Sequence, residues 1–290
     1  MMAAVADIGT IITAIVTPFD ERLEVDEEAF VATLRHLAAS GSDGVVVCGT
    51  TGEAPTLQTP ETLRLFELAV AERPEGMAII AGTGSNDTKH AVHLTEAATE
   101  RGVDAVLSVT PYYNKPNRRG LKRHFEEVAR ATDKPVVLYN IPGRTALDMP
   151  NDLLAELAQI ERIDYVKQAN PDNLAKVDGL RIFAGNDDLL ADVLDLGEAG
   201  GILVASHVVG PEMRRMVDEP ESRRAIHDSL SEVFAAMFCT ASPAPVKAAL
   251  AMIGLPVGGV RLPLVEVDES EAEIVRGALE RHGVLQVTRA

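Results

Sequence analysis

Residues 135–167 read PVVLYNIPGRTALDMPNDLLAELAQIERIDYVK. An apolar run over 135–139 gives way to a turn built on Pro142 and Gly143. A helical period over 153–157 follows, then a second apolar run over 163–167. Both runs are nearly continuous rather than alternating, the pattern of strands buried on two faces in a parallel sheet. Asn151 is placed to cap the helix between them, and Pro150 suits its first turn. Strand, helix and strand together make one βαβ unit.

Outward from this unit the pattern repeats. Apolar runs at 11–17, 44–48, 78–81 and 105–109 precede it, and runs at 181–184 and 201–204 follow. Helical periods at 29–37, 62–70, 90–99 and 121–129 lie between the early runs. Pro60 suits a first turn, and Asp187 is placed to cap the helix after the seventh run. Eight strands alternating with helices predict an α/β fold, a (β/α)8 TIM barrel, rather than a doubly wound sheet. From Pro211 onward the segments read as helices only, broken near 242–245 and 254–259. We therefore expect a barrel over residues 1–209 and a C-terminal helical extension over 210–290. The chain has 290 residues, enough for the about 250 of a barrel plus an extension.

Apolar residues make up 46% of the chain and the net charge is −17. Such a surface repels nucleic acid and anionic membranes, so neither is expected as a partner. It also repels anionic substrates at long range, so a site for one needs local cations or amide donors. No apolar run approaches the ~18 residues that span a bilayer. The first ten residues hold no basic n-region or clear cleavage site, and we expect a cytoplasmic protein. Cys48 and Cys239 fit no disulfide framework or metal spacing and are expected to be free, buried thiols. The histidines form no metal pattern either. His90 and His93 share a helix expected on the outer ring, and His207 follows the eighth strand with no carboxylate set around it. Metal-dependent aldol chemistry is disfavoured, and no metal is expected.

Barrel enzymes carry their chemistry at the C-terminal strand ends. Lys167 ends the sixth run. An amine among apolar walls loses hydration, which lowers its pKa and frees the neutral nucleophile that forms an imine with a 2-oxo acid. The alternative is a salt-bridged lysine, for example with Asp187. Gly49-Thr50-Thr51-Gly52-Glu53 ends the second run, where exposed amides and two hydroxyls suit a carboxylate; the alternative is a plain β–α turn capped by Thr51. It lacks the spacing and lysine of a phosphate loop. Tyr139 ends the fifth run, beside the sixth in a closed barrel, and suits general acid–base work near an imine. Arg144 follows a Pro-Gly turn, where a guanidinium fork can hold a second carboxylate or pair with a surface acid.

At these residues the chain resembles the dihydrodipicolinate synthase/N-acetylneuraminate lyase family, nearly end to end, from Thr17-Pro18-Phe19 to Arg261-Leu262-Pro263. The resemblance implies that Lys167 is the Schiff-base lysine, Tyr139 the catalytic tyrosine, and Thr50 and Tyr113 its partners in proton relay. It implies that Tyr113 reaches a neighbouring subunit's site in a homotetramer, a dimer of dimers. Thr51, in the loop for the pyruvate carboxylate, Gly185 and Ile202 match positions lining the pyruvate pocket. Arg144 matches the arginine for the carboxylate of aspartate semialdehyde. The implied reaction condenses pyruvate with L-aspartate 4-semialdehyde to 4-hydroxy-tetrahydrodipicolinate, for lysine and diaminopimelate. It needs no cofactor beyond the covalent imine on Lys167.

Three positions depart from the family: Gln168 and Asn186 stand where acids are common, and Asn170-Pro171 replaces a small-residue pair. A related pyruvate aldolase or lyase acting on a 2-keto-3-deoxy sugar acid or another aldehyde is therefore the alternative. A silent, pyruvate-binding paralogue is opposed by intact Thr50, Tyr113, Tyr139 and Lys167. Lysine-inhibited members carry histidines and a Glu where Thr59, Thr62 and His90 stand here, although Asn86 and Tyr112 remain. We expect weak or absent feedback by lysine.

Overall fold

The computed structural model describes residues 7–285. Its strands close into a parallel barrel in chain order. They are β1 (Ile11–Ala14), β2 (Gly44–Val47), β3 (Ala78–Gly82), β4 (Ala105–Val109), β5 (Val136–Asn140), β6 (Ile163–Gln168), β7 (Arg181–Ala184) and β8 (Gly200–Leu203). The ring outside them holds α1 (Glu27–Ala39), α2 (Thr59–Glu72), α3 (Thr88–Glu100), α4 (Arg118–Arg130), the short α5 (Pro142–Thr145), α6 (Asn151–Leu157), α7 (Leu190–Asp195) and α8 (Ser206–Asp218). A 3-10 turn, Pro171–Asn173, stands where a helix would join β6 to β7. Three further helices follow: α9 (Arg223–Ala236), α10 (Ala244–Met252) and α11 (Glu269–His282).

Alternate side chains of each strand serve two cores. Ile12, Val46, Ile80, Leu107, Val137, Tyr165, Phe183 and Ile202 fill the barrel interior. Their neighbours, among them Ile11, Val45, Ile79, Val106, Leu138, Val166 and Ile182, pack outward under the helices. This double burial is why the strands read as continuous apolar runs. It also fixes which way the site residues point. Tyr165 faces in and Val166 out, so Lys167 faces in.

Several local expectations differ. β1 stops at Ala14: Ile15 N–H still donates to Val46 O of β2, but Val16 N–H then donates to His207 Nε2 at 3.3 Å, and the Thr17 side-chain hydroxyl to Gly52 O at 2.7 Å. Pro150, not Asn151, takes the N-cap position of α6, with no side-chain cap. Asp187 caps no helix; its Oδ1 accepts from Val204 and Ala205 N–H. Thr51 is likewise no helix cap, since α2 starts eight residues later behind a Gln58–Glu61 capping box. The last barrel helix opens before Pro211, at Ser206, and kinks at Val209 where the ring of Pro211 interrupts the helical ladder. Cys48 is buried and Cys239 half-buried, both as free thiols.

At the N-terminal end of the strands, Asp43 holds the mouth of β1 and β2 together. It accepts from Thr10 and Ile11 N–H at 2.8 and 2.9 Å and pairs with Arg214 at 2.6 Å. The opposite end is left free for chemistry. Among the described residues no helix is long and apolar enough to cross a membrane.

Candidate active site

Tyr139 and Lys167 are register partners at the ends of β5 and β6, with both side chains buried. The Lys167 ammonium nitrogen lies 4.3 Å from the centroid of the Tyr139 ring. Burial removes water from the amine and pulls its pKa down to about 8; Asp187 opposes this and the positive Arg144 adds to it. Burial pushes the Tyr139 phenol up to about 12, against the pull of Arg144 and a hydrogen bond with Thr50. The phenol is therefore a neutral hydrogen-bond donor near neutral pH, beside an amine of which about a tenth is uncharged at pH 7, far more than for a solvated lysine. Asp187 is the acid that sequence offered as a salt-bridge partner. It acts on Lys167 through its field, while its Oδ1 is held by the Val204 and Ala205 amides at 2.9 and 3.0 Å. Burial raises it to about 6. Its Oδ2 has no hydrogen-bond partner among the described residues.

A cavity of about 430 Å³ opens at this end of the barrel. Thr50, Tyr139, Arg144 and Tyr112 line it, together with Thr59, Thr62 and His90. His90 thus faces the cavity although its helix belongs to the outer ring. Arg144 is exposed, forms no ion pair among the described residues, and its charge is felt at both Tyr139 and Lys167. That leaves its fork free for an anion. Thr51 is buried behind Thr50. Gly185 packs on the end of β6, where an added Cβ would lie 2.7 Å from that of Ala169, and donates its N–H to Gln168 O. Ile202 is wholly buried in the barrel interior. Thr51, Lys167, Gly185 and Ile202 are not among the residues that line the open cavity; Lys167 meets it through the ring of Tyr139, which does. Tyr113 is 87% exposed, with φ +71, and stays outside the cavity of its own chain.

Two of the positions that depart from the family, Gln168 and Asn170, share a cluster. Gln168 Oε1 accepts from Asn140 Nδ2 and Asn170 N–H, both at 3.0 Å. Asn140, Asn170 and Asn173 side chains all donate to the carboxylate of Asp148, at 2.8, 3.1 and 2.8 Å. Asn140 and Asn170 thus link Gln168 to a carboxylate in the loop after β5. Sequence reasoning did not single out Asp148, and no local signal marks it. Asn186 donates to Ala169 O at 3.4 Å, also away from the cavity. Among the described residues no three His, Cys, Asp or Glu side chains are grouped to hold a metal ion.

Comparison with known proteins agrees with this geometry. The model of the dihydrodipicolinate synthetase family matches residues 7–282. The 4-hydroxy-tetrahydrodipicolinate synthase of Desulforudis audaxviator is 43% identical, over 96% of this chain and 99% of its own. A dihydrodipicolinate synthase structure from Bacillus anthracis is 39% identical with a TM-score of 0.90, covering 94% of this chain and 98% of that one. The chloride-inhibited dihydrodipicolinate synthase of Acinetobacter baumannii, solved with pyruvate, is 34% identical with a TM-score of 0.92, covering 96% and 100%. The chain belongs to the dihydrodipicolinate synthetase family.

Proposed function

We propose that this enzyme condenses pyruvate with L-aspartate 4-semialdehyde to give 4-hydroxy-tetrahydrodipicolinate, on the route to lysine and diaminopimelate. The observation that carries the proposal is the buried Lys167 amine, with a pKa of about 8, beside the ring of Tyr139. Neutral amine attacks C2 of pyruvate, and the carbonyl oxygen leaves as water once two protons reach it. The imine draws electrons from the adjacent methyl, which loses a proton and becomes an enamine carbon nucleophile. That carbon attacks the aldehyde carbon, and the new alkoxide takes a proton. The acceptor's own amine then attacks the imine carbon, closing the ring and returning Lys167 as the free amine. Tyr139, joined to Thr50, is the proton carrier for these steps, with Tyr113 of a neighbouring subunit as its outer partner.

Thr51 and the amides of its turn receive the pyruvate carboxylate, over a floor made by Gly185 and Ile202. Arg144 receives the carboxylate of the aldehyde, a bidentate pair that offsets the repulsion expected from a net charge of −17. The covalent imine takes the place of any cofactor. The departures at Gln168 and Asn170 do not favour a sugar-acid acceptor, because Gln168 Oε1 is taken by Asn140 and the Asn170 side-chain amide by Asp148. A homotetramer and a cytoplasmic setting belong to the same proposal, as does weak or absent feedback by lysine. Inhibition by sub-millimolar lysine in a steady-state assay would refute the last point.

The test is direct. Incubation with pyruvate and borohydride should leave a stable adduct on the peptide containing Lys167, and none in Lys167→Met. Turnover with aspartate semialdehyde should far exceed cleavage of 2-keto-3-deoxygluconate. An adduct on another lysine, or the reverse preference, overturns the assignment.

A further inference from the structure

The turn Gly49-Thr50-Thr51-Gly52 is bracketed by two non-glycine residues in the left-handed region, Cys48 at φ +54 and Glu53 at φ +56. Each such residue costs roughly 1–2 kcal/mol, so the turn does not hold itself. At one bracket, Gly82 makes room for the Cys48 carbonyl, which would lie 2.3 Å from a Cβ there. At the other, the Glu53 side chain is wholly buried and forms a 2.7 Å ion pair with Lys247 of α10. Its second oxygen accepts Arg261 N–H at 2.9 Å. Lys247 also donates to Gly259 O at 2.6 Å and stands 4.2 Å over the ring of Phe19. The Arg261 guanidinium stands over the same ring at 4.3 Å and binds Glu61, Leu23 O and Thr56 O. Thr17, two residues before Phe19, closes the circuit through Gly52 O. The motifs at the two ends of the chain, around Phe19 and Arg261, thus meet on the substrate turn.

We propose that Glu53 and Lys247 are positioning residues for the reaction: their buried ion pair, clasped by Phe19 and Arg261, fixes the Thr50-Thr51 turn in the shape that receives the keto-acid carboxylate. The C-terminal helices are then part of the substrate site and more than a covering for the barrel. A buried charge pair is a poor source of net stability, since desolvation offsets most of its attraction. Geometric specificity is the role the energetics leave open to it. The inference rests on the reading of this turn as the carboxylate site.

The experiment measures the pyruvate concentration that half-saturates borohydride trapping on Lys167, together with the melting temperature. Wild type trapping at Lys167 establishes the underlying reading; its failure would remove that reading first. Glu53→Gln and the double variant Glu53→Gln/Lys247→Met, which leaves no lone charge, should raise the half-saturating concentration tenfold or more. Trapping at saturating pyruvate should still go to completion. Arg214→Met, which breaks the half-buried Asp43 pair at the far end of the barrel, is the control for destabilisation and should change half-saturation less than twofold. Should the double variant not accumulate as folded protein, Phe19→Leu, which keeps both charges, gives the same reading. Half-saturation within twofold of wild type in the clasp variants, or an equal shift in Arg214→Met, overturns the proposal.

Discussion

Lys167 and Asp187 set each other's charge without touching. Burial alone favours the neutral amine, and the carboxylate restrains that tendency, leaving the pKa at about 8. The nucleophile is the deprotonated form, so kcat/KM for pyruvate should rise with pH and level off above about 8. In Asp187→Asn, where the amide oxygen can still accept from Val204 and Ala205, the inflection should move to lower pH; a shift upward would contradict the field argument. Tyr139 is on the other side of the amine, with its proton held firmly. Tyr139→Phe should lower kcat by about 10²–10⁴, the usual contribution of a positioned acid–base group, while adduct formation at long incubation persists. Arg144 acts on the second substrate. Arg144→Met should raise KM for aspartate semialdehyde by about tenfold to a hundredfold, as loss of a charge-assisted bidentate contact does, with half-saturation for pyruvate changed much less.

Two adjoining strands carry much of the chemistry, and their ends are held together by amides instead of packing. Asn140, the last residue of β5, is buried; it donates to Gln168 and Asp148 and accepts Met149 N–H at 3.0 Å. Asn140→Ala strands these partners in a buried setting and should cost about 2–3 kcal/mol, measured by urea unfolding. The register of Tyr139 against Lys167 depends on the same strand ends, so the rate of imine trapping should fall in parallel. Element identity was legible because each strand is apolar on two faces and each helix on one. The ends of elements were not. Whether β1 ends at 14 or 17 turns on partners such as His207, which arrives from 191 residues away in the chain.

Across the whole molecule, acid stability follows from three buried groups. His124 and His207 have folded pKa values of about 4, lowered from 6.5 by burial. The unfolded chain therefore takes up two more protons than the folded one as pH falls through that window, and stability is lost. Asp187, raised from 3.8 to about 6, takes up a proton in the folded state over nearly the same range and offsets one of them. The melting temperature should fall as pH drops from about 6.5 to about 5.5, before the carboxylates begin to titrate, with a net uptake by the unfolded chain of about one proton. It should become nearly flat in His124→Asn. A wild-type curve flat over that range would contradict the assignment of neutral histidines. The assembly is tested at Tyr113. If it completes a neighbour's site, Tyr113→Ala should lose activity with its own Lys167 adduct intact, and dilution below the assembly's dissociation range should lower activity per chain.

The continuity and order of apolar runs are local properties, so the sequence alone determined the barrel and the place of Lys167 beside Tyr139, while a strand buried on both faces does not say which way Lys167 points. The resemblance of the strand-end motifs added the chemistry. Contacts that depend on closure of the barrel were decided by tertiary structure alone. Asp187 turned to the amides after β8 instead of pairing with Lys167, Asp148 gathered the side-chain amides of Asn140, Asn170 and Asn173, and Lys247 met Glu53 from a helix beyond the barrel. Each is a buried or half-buried polar group whose partner is chosen by three-dimensional proximity and the cost of leaving it unpaired. Spacing along the chain carries no record of that choice.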